Sequence, residues 1–178
     1  MTHPWHDVSY GKNAPNVIQA IIEVPKDSKL KYEVDKETGL IILDRPLYSS
    51  VHYPGDYGFI PQTYWEDGDP LDIIVISNFP VFPGVIVEAR PIGVLHMEDE
   101  GEADDKIIAV HDTDPRFNHY QDLKDIPEHI KLEIKHFFET YKQLQNKKVK
   151  VLEFSNAKKA KECIKKGIKL YDEQIRKK

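Results

Sequence analysis

At 178 residues, with 40% hydrophobic and 31% charged side chains, the chain is long enough to bury a core and too polar to be a membrane protein. Its net charge of −5 argues against a general binder of phosphate backbones, and its single cysteine, Cys163, excludes an internal disulfide. No apolar run approaches the ~20 residues that cross a bilayer, and the start has no signal-peptide core. A cytoplasmic protein is expected.

Residues 1–16 are polar and interrupted by Pro4 and Pro15, which reads as a surface arm. His3 and His6 have the chemistry of metal ligands, but terminal segments are usually mobile and no site is assigned to them. A strand is expected over Val17–Val24, stopped by Pro25. The alternation in Lys31-Tyr32-Glu33-Val34 predicts a strand with Lys31 and Glu33 on one face. A turn over Asp35–Gly39 leads into Leu40–Leu43, and Asp44-Arg45-Pro46 ends that strand. Residues 48–65 hold Tyr48, Tyr53, Tyr57, Phe59, Tyr64 and Trp65 among prolines and glycines, a loop that covers a core. Tyr53 and Tyr57 also carry hydroxyls able to donate to anionic oxygens.

The stretch Asp67-Gly68-Asp69-Pro70-Leu71-Asp72 sets three carboxylates in a tight turn, and Ile73-Ile74-Val75-Ile76 follows as a buried strand. Such crowding is unfavourable unless a proton or cation offsets it, and Mg²⁺ is the natural partner of clustered carboxylates. An EF-hand is excluded, because its glycine and bidentate glutamate positions, counted from Asp67, hold Asp72 and Asn78. Asp-Gly and Asp-Pro are also ordinary turn chemistry, so the loop alone decides little. Strands are expected near 71–77, 84–90 and 92–97, separated by Pro80, Pro83 and Pro91. A second acidic run, Glu98 to Asp105, ends at Lys106 and the strand Ile107–Val110. Pro127 opens a helix with an apolar stripe of Ile130, Ile134, Phe137, Tyr141 and Leu144. A strand Val149–Phe154 and a last helix over 157–175 complete the chain, the helix lysines forming a solvated face. With no linker or repeat, residues 1–178 read as one domain. The class is α+β and mainly β: five or more short strands in an OB-like closed β-barrel over 17–110 and 148–154, with two flanking helices.

If the two acidic loops meet, carboxylates come from Glu23, Asp67, Asp69, Asp72, Asp99 and Asp104. Cations come from Lys31, Arg45, Lys106 and Lys142, and hydroxyls from Tyr53, Tyr57 and Tyr141. A carboxylate cage for metals beside Arg, Lys and Tyr donors suits a compact, highly charged phosphate substrate. An OB-type nucleic-acid module is the rival from another class, favoured by the aromatic run and opposed by the acidic loops. A metal-dependent hydrolase of nucleotides or phosphomonoesters is the nearer rival, since its cage would look alike.

Over nearly its whole length the chain resembles the soluble family I inorganic pyrophosphatases. The resemblance is carried by Ile22-Glu23-Val24-Pro25, Lys31-Tyr32-Glu33, Leu43-Asp44-Arg45 and Tyr53-Pro54-Gly55-Asp56-Tyr57-Gly58. It continues through the Asp67–Asp72 signature, Arg90–Val94, Asp99–Lys106 and His136–Lys142. It implies a five-stranded, OB-like closed β-barrel with two flanking helices, and hydrolysis of pyrophosphate to two orthophosphates. Asp67, Asp72 and Asp104 would hold the tightest Mg²⁺, Asp99 and Asp104 a metal arriving with substrate, and Glu23 another through water. Glu33 would join the carboxylate ring and Tyr53 would be a supporting ring. Lys31, Arg45, Tyr57, Lys106, Tyr141 and Lys142 would bind the phosphates, and Asp69 would be the general base. Mn²⁺ or Zn²⁺ would substitute for Mg²⁺, and Ca²⁺ would inhibit. The short chain is similar to the bacterial and archaeal members, typically homohexamers, with no nucleic-acid or membrane partner. Asp105 beside Asp104 leaves a second register open, and no role attaches to the arm or to His111–Asp122.

Overall fold

A computed structural model describes residues 2–177. Among these residues nine strands dominate: β1 (Ile18–Val24), β2 (Leu30–Val34), β3 (Ile41–Pro46), β4 (Asp56–Phe59), β5 (Asp72–Ile76), β6 (Ile86–Asp99), β7 (Glu102–Ala103), β8 (Lys106–His111) and β9 (Val149–Asn156). Two helices, α1 (Glu128–Thr140) and α2 (Ala157–Tyr171), lie on either side of β9 in sequence. In the main sheet β1 pairs with β4, β4 with β5, β5 with β8, and β8 with β6. β6 pairs in turn with β7, with β9, and with β1. β2 and β3 form a separate hairpin.

The continuous apolar run of β5 has a simple cause. Ile73 and Val75 enter the core beneath α2, with Ala160, Cys163 and Ile164, while Ile74 and Ile76 enter the core beneath α1, with Ile134, Phe137 and Phe138. Alternate residues of a strand point to opposite faces, so both faces of β5 are buried and every position is apolar. Among the described residues only β5 and β8 run parallel within the sheet, and their register sets Asp72 opposite Lys106. The first residue of one strand is thereby placed beside the first residue of the other.

Several expectations change. Pro91 does not divide β6: the strand runs through it unbroken, because the ladder to β8 shifts register between Pro91 and Gly93. A bulge tolerates the missing N–H of proline. The four-residue β4 is new, hidden in sequence by its brevity and by Gly58. That glycine lies so close to β1 that a Cβ there would overlap the Ile21 carbonyl oxygen. α1 stops before Leu144, which is 65% exposed, and a left-handed Asn146 (φ +55°) ends the short turn that follows. The arm is not a free surface segment. Trp5 is buried and donates from Nε1 to the Thr63 carbonyl at 2.8 Å. His6 Nδ1 and the Tyr171 hydroxyl are 2.8 Å apart, so the arm is tied to α2 as well.

Candidate active site

The Asp67–Asp72 turn depends on Gly68, whose φ of +85° other residues rarely adopt. The Asp67 carboxylate accepts the Asp69 N–H at 3.1 Å, which tightens the turn. Asp72 then opens β5, and across the parallel ladder Lys106 opens β8. The Lys106 ammonium, almost fully buried, donates to Asp72 and to Asp104 at 2.5 Å each. The Tyr57 hydroxyl donates to the same Asp72 oxygen at 2.6 Å. Asp105 faces elsewhere: its carboxylate meets His96 at 3.0 Å. The alternation along the chain thus directs Asp104, and not Asp105, into the cluster.

The β2–β3 hairpin supplies a second wall. Lys31 is paired opposite Arg45, and the ladder shifts between Lys31 and Tyr32, so Asp44 is the extra residue of a bulge. Bulges re-aim side chains. Here Lys31 donates to Glu33 at 2.8 Å and to Asp44 at 2.7 Å, while Arg45 also meets Asp44. The hairpin and the acidic loop enclose a cleft of about 490 Å³, lined on its polar side by Glu23, Lys31, Glu33, Lys36, Asp69 and Asp72. Tyr57 joins them, and Trp5 of the arm closes one side. Asp69 is half exposed and paired with Lys36.

A third group comes from the end of β6 and the end of α1. Lys142 meets Asp99 and lies 5.3 Å from the centre of the Tyr141 ring. Tyr141, the C-cap of α1, is buried against Phe137 and Phe138. Tyr53 is packed between Tyr57 and Phe137, with ring centres 5.3 and 4.6 Å away. Asp67, Asp99, Asp104, Arg45, Tyr141 and Lys142 do not line the cleft itself. They border the same charged cluster: the charges of Asp72 and Lys106 act on Tyr53 and Tyr141, those of Asp72 and Asp104 on Tyr57, and that of Asp99 on Tyr141.

Negative charge is in excess here. Burial, then the charge of Asp72, pushes Glu23 up to about 8 against the one hydrogen bond it accepts from the Val34 N–H. Burial, with Asp72 and Asp104 nearby, pushes Asp67 up to about 7. Asp72 is raised by burial even though Lys106 opposes it. For Lys106 burial acts downwards, but Asp72 and Asp104 outweigh it and hold the ammonium charged. In the hairpin, Asp44 and Glu33 likewise outweigh the burial of Lys31 and raise it. Burial raises Tyr53, Tyr57 and Tyr141, so all three keep their hydroxyl protons as donors.

Acids that retain protons above their ordinary range, all with hard oxygen donors, are the set a divalent cation would relieve. Among the described residues no three acids converge on one point as metal ligands. The Lys106 ammonium occupies the place between Asp72 and Asp104. The donor chemistry fits a hard cation, provided these side chains turn towards it.

Sequence reasoning gave Asp44, Lys36 and Trp5 no role in the site. Asp44 stands inside the quoted Leu43-Asp44-Arg45 run, but its direction depends on a bulge that no local pattern announces. Lys36 sits on a turn, where an exposed lysine is ordinary. Trp5 is 58 residues from the Thr63 carbonyl that holds it.

The family model "Inorganic pyrophosphatase" matches residues 20–172. The "Soluble inorganic pyrophosphatase 2" of Chlamydomonas reinhardtii is 50% identical over 172 residues, 97% of this chain and 90% of that protein. "Soluble inorganic pyrophosphatase 1" of Arabidopsis thaliana is 51% identical over 173 residues, 97% of this chain and 82% of that one. The crystal structure of inorganic pyrophosphatase from Thermus thermophilus superposes with a TM-score of 0.92 at 48% identity, covering 96% of this chain and 99% of that one. Similarity this high over so much of the chain, with the charged cluster on strands and loops inside the matched span, decides membership: the chain belongs to the soluble family I inorganic pyrophosphatases and is an enzyme of that class.

Proposed function

We propose that the chain hydrolyses inorganic pyrophosphate to two orthophosphates in a Mg²⁺-dependent reaction. The observation that carries this reading is the parallel β5–β8 register, which sets Lys106 between Asp72 and Asp104 beside a cleft bearing Lys31, Tyr57 and Asp69. Asp67, Asp72, Asp99, Asp104 and Glu23 are the residues that would hold Mg²⁺. Bound cations neutralise phosphate charge and acidify water. Mn²⁺ or Zn²⁺ would replace Mg²⁺, whereas Ca²⁺, larger and looser in coordination, would bind and inhibit.

The protein's own groups do the rest. Lys31, Arg45, Lys106 and Lys142 neutralise phosphate oxygens, Arg45 as a fork and the lysines as point charges. Tyr57 and Tyr141 donate hydroxyl protons that burial keeps in place. Asp69 takes the proton of the attacking water as its oxygen bonds to one phosphorus and the bridging P–O bond breaks. Glu33 fixes Lys31, and the Tyr53 ring holds Tyr57 and Phe137 apart. On this reading the main sheet's pairings, which return from β6 to β1, are an OB-like closed barrel. Residues 1–178 are one domain, the enzyme works in the cytoplasm, and it assembles as a homohexamer. Among the described residues no helix is long and apolar enough to cross a membrane.

The test compares Asp72→Asn with Asp69→Asn, measuring Mg²⁺ binding by calorimetry and turnover at saturating Mg²⁺. Asp72→Asn should weaken metal binding first and activity in consequence. Asp69→Asn should bind metal and pyrophosphate normally and turn over roughly 10²–10⁴-fold more slowly, the worth of a positioned base. Rescue of Asp69→Asn but not Asp72→Asn by added Mg²⁺ would reverse the two roles.

A further inference from the structure

The residues that the family model matches begin at 20, yet the segment before them reaches the cleft. His3 lies 3.1 Å through Nε2 from the carbonyl oxygen of Lys36, at the tip of the β2–β3 hairpin. Pro4 packs on the same turn so closely that a Cβ on Gly39 would stand 2.9 Å from its Cδ. Two main-chain-directed bonds anchor the arm to the body. Trp5 Nε1 donates to the Thr63 carbonyl at 2.8 Å, and the Gln62 N–H donates to the Trp5 carbonyl at 2.9 Å. The turn has its own brace, since Asp35 accepts from the N–H and the hydroxyl of Thr38 at 2.7 and 2.6 Å. From this doubly held turn the Lys36 side chain crosses the cleft mouth to the Asp69 carboxylate, and both residues line the cleft. Among the described residues Lys36 has no other acidic partner.

We infer that Lys36 is a positioning residue for Asp69, and that His3 of the arm sets where Lys36 stands. The inference rests on the reading of Asp69 as the general base. Asp69 follows a glycine on a half-buried turn, and its Oδ1, shielded from water, has no partner but Lys36 among the described residues, so Lys36 is what orients it. Lys36 is suited to this because an ion pair open to water is weak. It holds the carboxylate over the cleft in the free enzyme and yields at small cost when a polyanion and its cations enter. A buried partner would hold Asp69 too firmly to let it turn to water. The two half-exposed side chains, 59% and 44% accessible, place the pair in that weak regime.

The experiment is a double-mutant cycle on the intact enzyme with Mg²⁺ and pyrophosphate. Lys36→Ala should lower kcat roughly 2–5-fold, the worth of an exposed pair, with KM unchanged. Lys36→Arg should restore most of the loss. His3→Ala should give the same loss, and none when added to Lys36→Ala. In the Asp69→Asn background Lys36→Ala should cost nothing more. Calorimetric binding of Mg²⁺ with imidodiphosphate, whose P–N–P bridge replaces the scissile P–O bond, should be the same in Lys36→Ala as in the parent. A rise in KM or weaker imidodiphosphate binding would make Lys36 a phosphate ligand and overturn the inference. So would an equal loss of kcat in both Asp69 backgrounds, or no loss in either. Full turnover by Asp69→Asn alone would instead strike the base assignment, a result that the Lys36 variants cannot mimic.

Discussion

Single side chains in the cluster are caught between burial and charge, and their balance decides both stability and pH response. Lys106 is the clearest case. Its ammonium is the cation that two acids share, so Lys106→Met should leave Asp72 and Asp104 facing each other unpaired. Breaking a buried pair by removing one partner costs about 3–5 kcal/mol. The variant should therefore unfold earlier in chelator, measured by denaturant titration, and recover some of the loss when Mg²⁺ is added. Glu23 and Asp67 act in the opposite sense. Burial raises Glu23 from its ordinary 4.5 to about 8, and Asp67 from 3.8 to about 7. Between those values the folded state binds protons that the unfolded state has released, so stability falls as pH rises. Metal-free protein should lose stability from about pH 5 to pH 8, and Glu23→Gln should flatten that slope. A slope of the other sign, or one that Glu23→Gln leaves unaltered, contradicts the burial of these acids in their protonated form.

At the scale of elements, the sequence was legible wherever a pattern repeats and opaque wherever a contact is made at long range. The run Ile73–Ile76, the alternation at Lys31 and Glu33, and the stripe Ile134–Phe137–Tyr141 each announced their element, because periodic burial forces periodic chemistry. The Asp67–Asp72 turn was equally plain from Gly68 and Pro70. What stayed hidden was set by register. The bulge at Asp44 and the passage of β6 through Pro91 have no local signature, and docking of the arm through Trp5 is a contact between distant residues. Gly58 belongs to the same class. In sequence it weakens a strand, whereas in the fold it is what lets β4 approach β1. Gly58→Ala should destabilise by about 3 kcal/mol, the upper end of what overpacking costs, since the added carbon meets backbone rather than a movable side chain. Chemical denaturation reads this directly, and a loss under ~1 kcal/mol would mean that β1 and β4 separate easily.

For the whole molecule, the parallel pairing of β5 with β8 links stability to catalysis, because one register fixes a core strand and the head of the site together. The apolar face of α1 is covered by the chain's own strands, with Ile134, Phe137 and Phe138 buried. That face therefore calls for no partner, and the homohexamer stands on family resemblance alone. Sedimentation in Mg²⁺ should give six copies, and a monomer at working concentration would overturn it. Cation binding to the folded cluster alone should raise the unfolding temperature, by linkage. An unfolding temperature equal in chelator and in saturating Mg²⁺ would count against a metal site. Most direct of all is phosphate release from pyrophosphate, ATP and a phosphomonoester, each with Mg²⁺ and with chelator. Release from pyrophosphate with Mg²⁺ should be rapid, release from the other two substrates slight, and release in chelator almost nil. Equal release from ATP or the monoester, or undiminished release in chelator, would contradict a Mg²⁺-dependent pyrophosphatase.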